Sequence, residues 1–256
     1  MSIITKYRKS GGISAAYPVV AGAFADDYSL SFDGTEYATF DQDALDIGTS
    51  NISISYWMKC GENDSQRYIL NAGNSLFTNQ ISALIDAGDK AQFSVRQGLI
   101  TFAQQSSTSQ IDDDNWHHIL WSHDRDGSSV IYIDGSADDT ETLTDSSSWD
   151  IDVPGEARVG AVAWSSFDAY KWIGNLNDIA IWNTNLSAND ASSIYNSGSP
   201  NDLTSASSYD TDRTSNLLLY WKMEEGTGTT VADSSGNGHT LTFVDGSSPS
   251  WSSTTP

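Results

Sequence analysis

The 256-residue sequence has few of the features that stabilise a protein without a large hydrophobic core or that attach it to a membrane. It has one cysteine, Cys60, so it forms no internal disulfide bond. No stretch approaches the roughly 18 apolar residues that a membrane-spanning helix needs. The basic segment Met1–Gly12 is followed by no apolar region, so we predict no signal peptide.

Positive charge is also scarce. Lys and Arg number 12 against 34 Asp and Glu, which gives a formal net charge of −22 at pH 7. Because phosphate recognition needs a basic surface, this balance argues against a nucleic-acid partner. It disfavours an anionic membrane surface for the same reason.

The abundant residues predict a folded protein made of short strands and many turns. Aromatic side chains make up 11% of the chain, which is too many for a disordered acidic sequence. Of the 34 acidic residues only six are Glu, and the others are Asp. Asp avoids helix interiors and favours turns and caps, so the excess indicates many turns.

Alternating segments separated by turn signals predict hairpins. The clearest one surrounds Asp124–Gly127, and two others turn at Asp33–Gly34 and at Asp86–Asp89. The strands of these three hairpins are expected at 116–123 with 130–135, 28–32 with 36–40, and 81–85 with 91–96.

Further runs complete an all-β pattern. In Ile52–Met58, the residues Ile52, Ile54, Tyr56 and Met58 share one face. One short helix is predicted up to Tyr195, because Ser187 and Asp190 have the spacing of an N-cap and its N3 partner. Roughly a dozen strands with one helix favour a two-sheet antiparallel sandwich over residues 28–256, preceded by an N-terminal arm at 1–27.

Several segments together resemble a known family. They are Tyr28–Gly34, Ile52–Met58, Trp116–His118, Tyr132–Gly135, Gly174–Trp182 and Leu186–Asp190. In that order they resemble the laminin-G-like jelly-roll domains of the concanavalin A-like lectin/glucanase superfamily. The resemblance covers about residues 28–196 and implies a jelly-roll sandwich.

The end of the chain departs from the family pattern. Leu218–Gly226 and Asp233–His239 resemble the segment that opens many of these domains. The first and last strands of such a sandwich are neighbours, so residues 216–256 are expected to complete the sheet as permuted strands. The alternative is that this segment pairs with a neighbouring subunit.

Similar permuted domains occur in virion proteins of tailed phages. The resemblance therefore implies a virion surface component, in capsid decoration or in tail or fibre adhesion. Its partners would be other virion proteins or identical subunits, with a surface glycan as a further ligand. Outside a phage, an extracellular or cell-surface location is expected.

The sequence predicts a protein that is not an enzyme. Retaining glucanases that the chain resembles carry Glu-x-Asp-x-x-Glu, which places two carboxylates about 5 Å apart. Here Glu62-Asn63-Asp64 begins this motif, but Arg67 stands where the second Glu belongs. We therefore predict no catalytic residues. The alternative is a glycoside hydrolase or lyase relative that acts on polysaccharide with a displaced catalytic pair.

Calcium is the predicted metal, because Asp and Asn on turns supply hard oxygen ligands. The candidate ligands are Asp233 and Asn237, in a loop whose counterpart in similar domains often holds an ion, and Asp178. Asp178 is placed on the strand face of Leu176 and Ala180, where an unpaired carboxylate would be costly. The alternative is that Asp233 caps a turn and that Asp178 accepts backbone hydrogen bonds.

One loop is predicted to contact glycans. Trp164, Phe167, Tyr170 and Trp172 lie within nine residues, and sugars pack their C–H faces against exposed aromatic rings. The alternative is that these rings fill the edge of the sandwich or a subunit contact.

Overall fold

Two antiparallel sheets packed face to face contain all sixteen strands of the described chain in this computed structural model. The structure describes residues 24–73, 79–97, 100–143, 150–163, 170–244 and 249–256. Each sheet has eight strands, and a single α-helix lies within these ranges. The architecture confirms the predicted all-β, two-sheet jelly-roll sandwich with one short helix.

Sheet A is centred on two long strands. In spatial order it contains β10 (Ser136–Thr142), β9 (Ser128–Ile133), β8 (Trp116–His123), β3 (Ile52–Lys59), β12 (Ile173–Trp182), β1 (Ser29–Asp33) and β16 (Ser250–Ser252). The eighth strand, β13 (Leu217–Trp221), pairs with the second half of β12.

Sheet B packs against the inner face of sheet A. In spatial order it contains β14 (Thr230–Val231), β15 (Leu241–Phe243), β2 (Ala38–Phe40), β11 (Glu156–Val159), β4 (Arg67–Gly73), β5 (Gln80–Ile85), β6 (Ala91–Gln97) and β7 (Ile100–Ser106).

The main core lies between the sheets and takes alternate residues from their strands. In β3 the inward residues are Ile52, Ile54, Tyr56 and Met58, all fully buried, as the alternation predicts. Burying each of the side chains Ile52, Ile54 and Met58 contributes roughly 1.5–3 kcal/mol relative to leaving it exposed. The core therefore fixes which face of each strand points outward.

Two of the three predicted hairpins are confirmed, and one is wrong. β8 pairs with β9, and β5 pairs with β6. The predicted hairpin around Asp33–Gly34 does not form, because β1 lies in sheet A and β2 lies in sheet B. The Asp33 carboxylate accepts a hydrogen bond from the Thr35 amide at 2.9 Å, and buried Glu36 accepts one from the Asp33 amide at 3.1 Å. The hydrogen bonds of a turn are present, but the turn leads the chain from sheet A to sheet B.

The C-terminal strands pair with strands of the same chain. β13 pairs with residues 179–182 of β12. β1 pairs with residues 173–176 along the same edge of β12. β15 joins β2 in sheet B, and β16 joins β1 in sheet A. The last forty residues thus contribute strands to both sheets.

A helical layer covers the outer face of sheet A. Helix α1 (Ala188–Tyr195) begins at Ser187, whose hydroxyl accepts the Asp190 amide at 3.1 Å while the Asp190 carboxylate accepts the Ser187 amide at 3.1 Å. This capping box confirms the predicted helix start. None of the helices in the described ranges is long and apolar enough to cross a membrane.

A second core lies between this layer and sheet A. Its buried residues are Leu120, Tyr132, Ala180, Trp182, Leu186, Ala191, Ile194, Leu203, Tyr209, Leu217 and Tyr220. Both faces of the central strands of sheet A are therefore buried. The outer face of sheet B is built differently.

Candidate functional site

A row of polar side chains crosses the outer face of sheet B from one edge to the other. Side chains of register partners point to the same face, and most of the residues flanking them along the strands belong to the main core. The row, given by the registers of all eight strands, is Thr230, Thr242, Thr39, Arg158, Asn71, Ser82, Ser94 and Gln104. This face can therefore offer a line of hydrogen-bonding groups.

The loop between Gly160 and Trp172 contacts the centre of the row through Ala163. The Trp172 amide donates to the Gly160 carbonyl at 2.9 Å and closes the base of the loop. The Ala163 amide donates to the Asn71 side-chain oxygen at 2.7 Å, and the Asn71 amide group donates to the Ser82 hydroxyl at 2.7 Å. The middle of the row, Asn71 and Ser82, is buried, whereas its two ends, Thr230 and Gln104, are exposed.

Aromatic and basic side chains stand beside the loop. The rings of Tyr68 and Tyr170 meet edge to face, with their centroids 6.2 Å apart. Burial raises the pKa of the Tyr68 hydroxyl, nearby Tyr170 raises it further, and Arg96 opposes the rise. All three side chains are partly exposed. They form one side of the candidate site.

The other side of the site is a cation–π cluster around Tyr37. The guanidinium of Arg158 lies 4.6 Å from the centre of the Tyr37 ring, and the Lys171 ammonium lies 5.8 Å from it. Lys171 also donates to the Thr35 carbonyl at 2.8 Å, and Arg158 donates to the Val162 carbonyl at 3.0 Å. We call the whole surface the tyrosine face, comprising Tyr37, Tyr68, Tyr170, Arg96, Arg158 and Lys171.

The four predicted glycan contacts have different positions. Trp164 and Phe167 lie outside the described residues. Tyr170 is half-buried on the tyrosine face, beside Tyr68. Trp172 is fully buried in the main core, with the Arg67 guanidinium 5.7 Å from its ring centre. Its burial removes Trp172 from the predicted sugar contacts.

Asp233 is committed to hydrogen bonds within the protein. Its carboxylate accepts bonds from the amides of Tyr220 (3.0 Å), Ser235 (2.9 Å) and His239 (3.0 Å) and from the Ser235 hydroxyl (2.9 Å). The Asn237 side-chain amide donates to the carbonyls of the two residues Leu217 and Leu218. These bonds fit the alternative interpretation, in which Asp233 caps a Gly-rich turn.

Asp178 lies in an irregularity of β12, and this changes its predicted orientation. The register of β12 with β3 shifts between Asn177 and Ala180, and Asp178 has φ +47°. Leu176 consequently lies in the main core, whereas Ala180 lies in the second core. The prediction that Leu176, Asp178 and Ala180 share a strand face is therefore wrong, because the irregularity interrupts the alternation.

Asp178 is the innermost of three neighbouring carboxylates. It is 4% exposed, the Tyr220 hydroxyl donates to one of its oxygens, and the other oxygen has no hydrogen-bond partner. Burial raises its pKa well above the usual range, and Asp26 and Glu224 raise it further. Among the described residues, no group of three or more His, Cys, Asp and Glu side chains is placed to hold a metal ion.

A serine and a histidine in the interior lie as close together as a catalytic nucleophile and its general base, but they share no other feature with such a pair. The Ser55 hydroxyl lies 2.8 Å from Nε2 of His118. Both residues are almost fully buried, and Nδ1 of His118 has no hydrogen-bond partner. The rings of Trp57 and Tyr195 lie beside His118, tilted against the imidazole. Burial lowers the pKa of His118 to about 4. A substrate cannot reach this pair, so it is structural.

Sequence reasoning missed Tyr37, Tyr68, Arg96, Arg158 and Lys171 as site residues. Each of them lies in or beside a strand that the alternation predicted, but the registers that place them on one face join strands distant in sequence. The alternation within each strand marks its outward residues, and it does not reveal which outward residues become neighbours.

Comparisons with known proteins identify the fold. A laminin G-type family model, described as concanavalin A-like lectin/glucanases superfamily, matches residues 32–192. Curated proteins gave no significant match.

Solved structures with the same fold include carbohydrate-related proteins. A candidate carbohydrate-binding protein from Bacteroides ovatus is 13% identical with a TM-score of 0.65, and the alignment covers 93% of this chain but 66% of that one, slightly under two thirds. The CBM40 domain of the Ruminococcus gnavus IT-sialidase is 13% identical with a TM-score of 0.54, covering 65% of this chain and 96% of that one. Structures of that domain bound to sialyllactose are known.

A laminin structure shares the fold as well. Domains LG4-5 of the mouse laminin α1 chain are 11% identical with a TM-score of 0.50, covering 71% of this chain and 48% of that one. At these identities the similarity shows the fold and nothing more specific.

Proposed function

Because the chain belongs to the concanavalin A-like lectin/glucanase superfamily, we propose that it is a non-catalytic binding module whose ligand is a glycan and whose binding surface is the tyrosine face. The observation that carries the proposal is the combination of a polar row with tyrosine rings at its open sides. Sugars need both kinds of group, since their C–H faces pack on rings and their hydroxyls need hydrogen-bonding partners.

The similar structures support a glycan ligand. The CBM40 domain was solved with α2,3-sialyllactose and with α2,6-sialyllactose. The Bacteroides ovatus protein is described as a candidate carbohydrate-binding protein. These ligands belong to those proteins, and for this chain they indicate only the class of compound to test.

The second candidate function, a glycoside hydrolase or lyase relative, has less support. The serine–histidine pair is buried, and Glu62 and Asp64 stand on a loop without the second Glu of the glucanase motif. Incubation of the protein with any glycan that it binds, followed by chromatography, would reveal cleavage products if the alternative is correct.

A glycan array tests the proposed function. Wild-type protein should bind a defined set of glycans, and Tyr170→Ala should weaken that binding about tenfold or more, because it removes a ring from the site. Tyr28→Ala is a matched control, since Tyr28 is 38% exposed but contacts Gly226, away from the tyrosine face. Equal weakening by both substitutions, or no glycan binding at all, would contradict the proposal.

Two further parts of the proposal need separate measurements. Attachment to a virion or another particle predicts that the protein associates with itself or with other surface proteins, which light scattering measures as mass. Calcium dependence predicts that EDTA weakens binding on the array. Because Asp233 is already hydrogen-bonded, Asp233→Asn should not reproduce the effect of EDTA.

A further inference from the structure

A pocket of about 250 Å³ opens at one end of the sandwich, between the end of β3 and the start of β12. Residues 60–63 form one of its walls, where the chain leaves β3 in sheet A for β4 in sheet B. Small-molecule sites usually have volumes of roughly 300–1,000 Å³. This pocket is slightly smaller, so it has room for one sugar residue but not for a longer piece of a glycan.

The pocket adjoins the tyrosine face at the turn that follows β1. Ile173 lines the pocket and packs on Gly34, where an added Cβ atom would lie 3.1 Å from the isoleucine side chain. Lys171 of the tyrosine face donates to the carbonyl of Thr35, the next residue of that turn, at 2.8 Å. Arg67 also lines the pocket and immediately precedes a member of the tyrosine face in β4. A glycan that lies across the tyrosine face therefore reaches the mouth of the pocket.

The pocket offers both an apolar surface and hydrogen-bond donors. Among the described residues, Ile173 and Tyr28 are the exposed large hydrophobic side chains, and Ile173 is the more exposed of the two, at 45%. Arg67 is 2% exposed and donates through Nη1 to the Gly61 carbonyl at 3.1 Å, but its Nε and Nη2 have no hydrogen-bond partner. Buried donors usually have partners. The wall formed by Arg67 therefore has hydrogen-bonding capacity left for the hydroxyl groups of a ligand.

The charges around the pocket favour a neutral ligand. The basic residues that line it are Lys59 and Arg67. Carboxylates outnumber them, because Glu62 and Asp114 line the pocket, Asp89 lies 3.6 Å from Nη2 of Arg67, and Asp112 lies near Cys60 in the wall. An acidic sugar would be repelled by more charges than attract it, since like charges at an interface oppose binding.

We infer that this pocket receives the terminal residue of a neutral glycan whose following residues lie on the tyrosine face. The inference rests on the proposed function and specifies that the ligand is bound by its end and not along its length. The pocket does not continue between β3 and β12, because a Cβ atom on Gly174 would collide with the Lys59 carbonyl. A glycan that enters the pocket therefore ends there.

Titration calorimetry of the full chain tests binding by the end. The probe is the linear neutral glycan that the wild-type protein binds best on the array, supplied as size-fractionated oligosaccharides and polysaccharide. We expect about one bound protein per glycan molecule whatever its length, because each linear molecule has one terminus of a given kind. This measurement on the wild-type protein needs no variant.

Gly61→Phe tests the pocket itself. Gly61 lines the pocket, its φ is not in the left-handed region, and an added Cβ atom would meet nothing within 4 Å. The phenylalanine ring can therefore occupy the pocket, and we expect binding to weaken about tenfold or more. Ala206→Phe is the matched control, since it adds the same ring to an exposed small residue in the layer that covers sheet A. It should leave binding unchanged, and thermal unfolding shows whether each variant is folded.

Several results would overturn the inference. They are a number of bound proteins that rises in proportion to glycan length, equal effects of Gly61→Phe and Ala206→Phe, and tighter binding of glycans that end in an acidic residue. Any of these together with binding that depends on Tyr170 would leave the glycan-binding module intact and remove only the role of the pocket. Absence of glycan binding by the wild-type protein would overturn both.

Discussion

The outer faces of the two sheets are produced by the same alternation of side chains, yet that of sheet A is largely apolar and covered, and that of sheet B is polar. In sheet A the outward residues include Leu120, Ala180 and Trp182, and helix α1 with its flanking segments covers them. In sheet B the outward positions hold the polar row, and Ala163 touches its centre. Inward residues of both sheets share one core, so the difference arises from the outward residues alone.

The comparison shows how a sandwich separates stability from recognition. On sheet A even polar outward residues are enclosed: the Ser122 hydroxyl donates to the Leu186 carbonyl at 2.8 Å, and the Trp182 indole donates to the Tyr209 hydroxyl at 3.2 Å. Such buried groups need fixed partners. On sheet B the ends of the row remain open to exchange partners with a ligand.

The largest expected effect is on the covered face. Trp182→Ala should lower the free energy of unfolding by about 3–5 kcal/mol, because the indole is fully buried in the second core and its removal leaves a cavity. Chemical denaturation followed by fluorescence or circular dichroism measures the change.

Tyr170→Ala is the counterpart on the open face. The Tyr170 ring is partly exposed, so its loss should cost less than about 1.5 kcal/mol. If both variants lost similar stability, the two faces would not differ as proposed.

The second effect concerns pH and His118, which lies beneath the layer that covers sheet A. Its pKa is lowered to about 4 by burial, whereas an exposed histidine titrates near 6.5. Between these two pH values His118 is protonated in the unfolded chain but neutral in the folded chain. The free energy of unfolding therefore falls as the pH decreases from about 6.5 towards 4. At pH 5 this loss is about 2 kcal/mol. Denaturation at pH 7 and at pH 5 should show a smaller loss for His118→Gln than for the wild type.

The neighbouring His117 provides a control of opposite sign. Its pKa is raised by its hydrogen bond with Asp134 at 2.9 Å, against some lowering by burial, and by its bond with Asp113 at 3.1 Å. A raised histidine pKa stabilises the fold at low pH, and this stability is lost as the pH rises through the raised value. His117→Gln should therefore increase the loss of stability between pH 7 and pH 5, whereas His118→Gln should reduce that loss. The same direction of change in both variants would contradict this assignment.

Much of the covered architecture could be predicted from the sequence. The alternation in Ile52–Met58 identified a core strand, and Ser187 with Asp190 identified the start of α1. These signals depend on residues close together in the chain. The strand β10 was missed because Ser136–Thr142 contains five consecutive acidic or hydroxyl-bearing residues and no apolar alternation, as suits an exposed edge.

The open face could not be predicted to the same extent, because its neighbours come from distant strands. Thr39 and Arg158 are register partners more than a hundred residues apart. The Asp33–Gly34 turn shows the same limit, since its residues specify a turn while packing decides which sheet β2 joins. Tyr170 and Trp172 belong to one aromatic segment of the sequence, but the burial of Trp172 depends on packing beside Arg67, which the segment does not reveal.

The smallest expected effect comes from the row itself. Thr39→Val keeps the shape and β-propensity of the side chain and removes a hydroxyl whose contact with the Thr242 carbonyl is long, at 3.5 Å. The unfolding free energy should change by less than about 0.5 kcal/mol, since Thr39 is partly exposed and water can solvate the carbonyl. Asn71→Ala, at the buried centre of the same row, should cost more because it leaves the Ala163 amide without its partner. A larger loss of unfolding free energy from Thr39→Val than from Asn71→Ala would mean that the ends of the row have a structural role. That result would contradict the assignment of the tyrosine face as the open face of the sandwich.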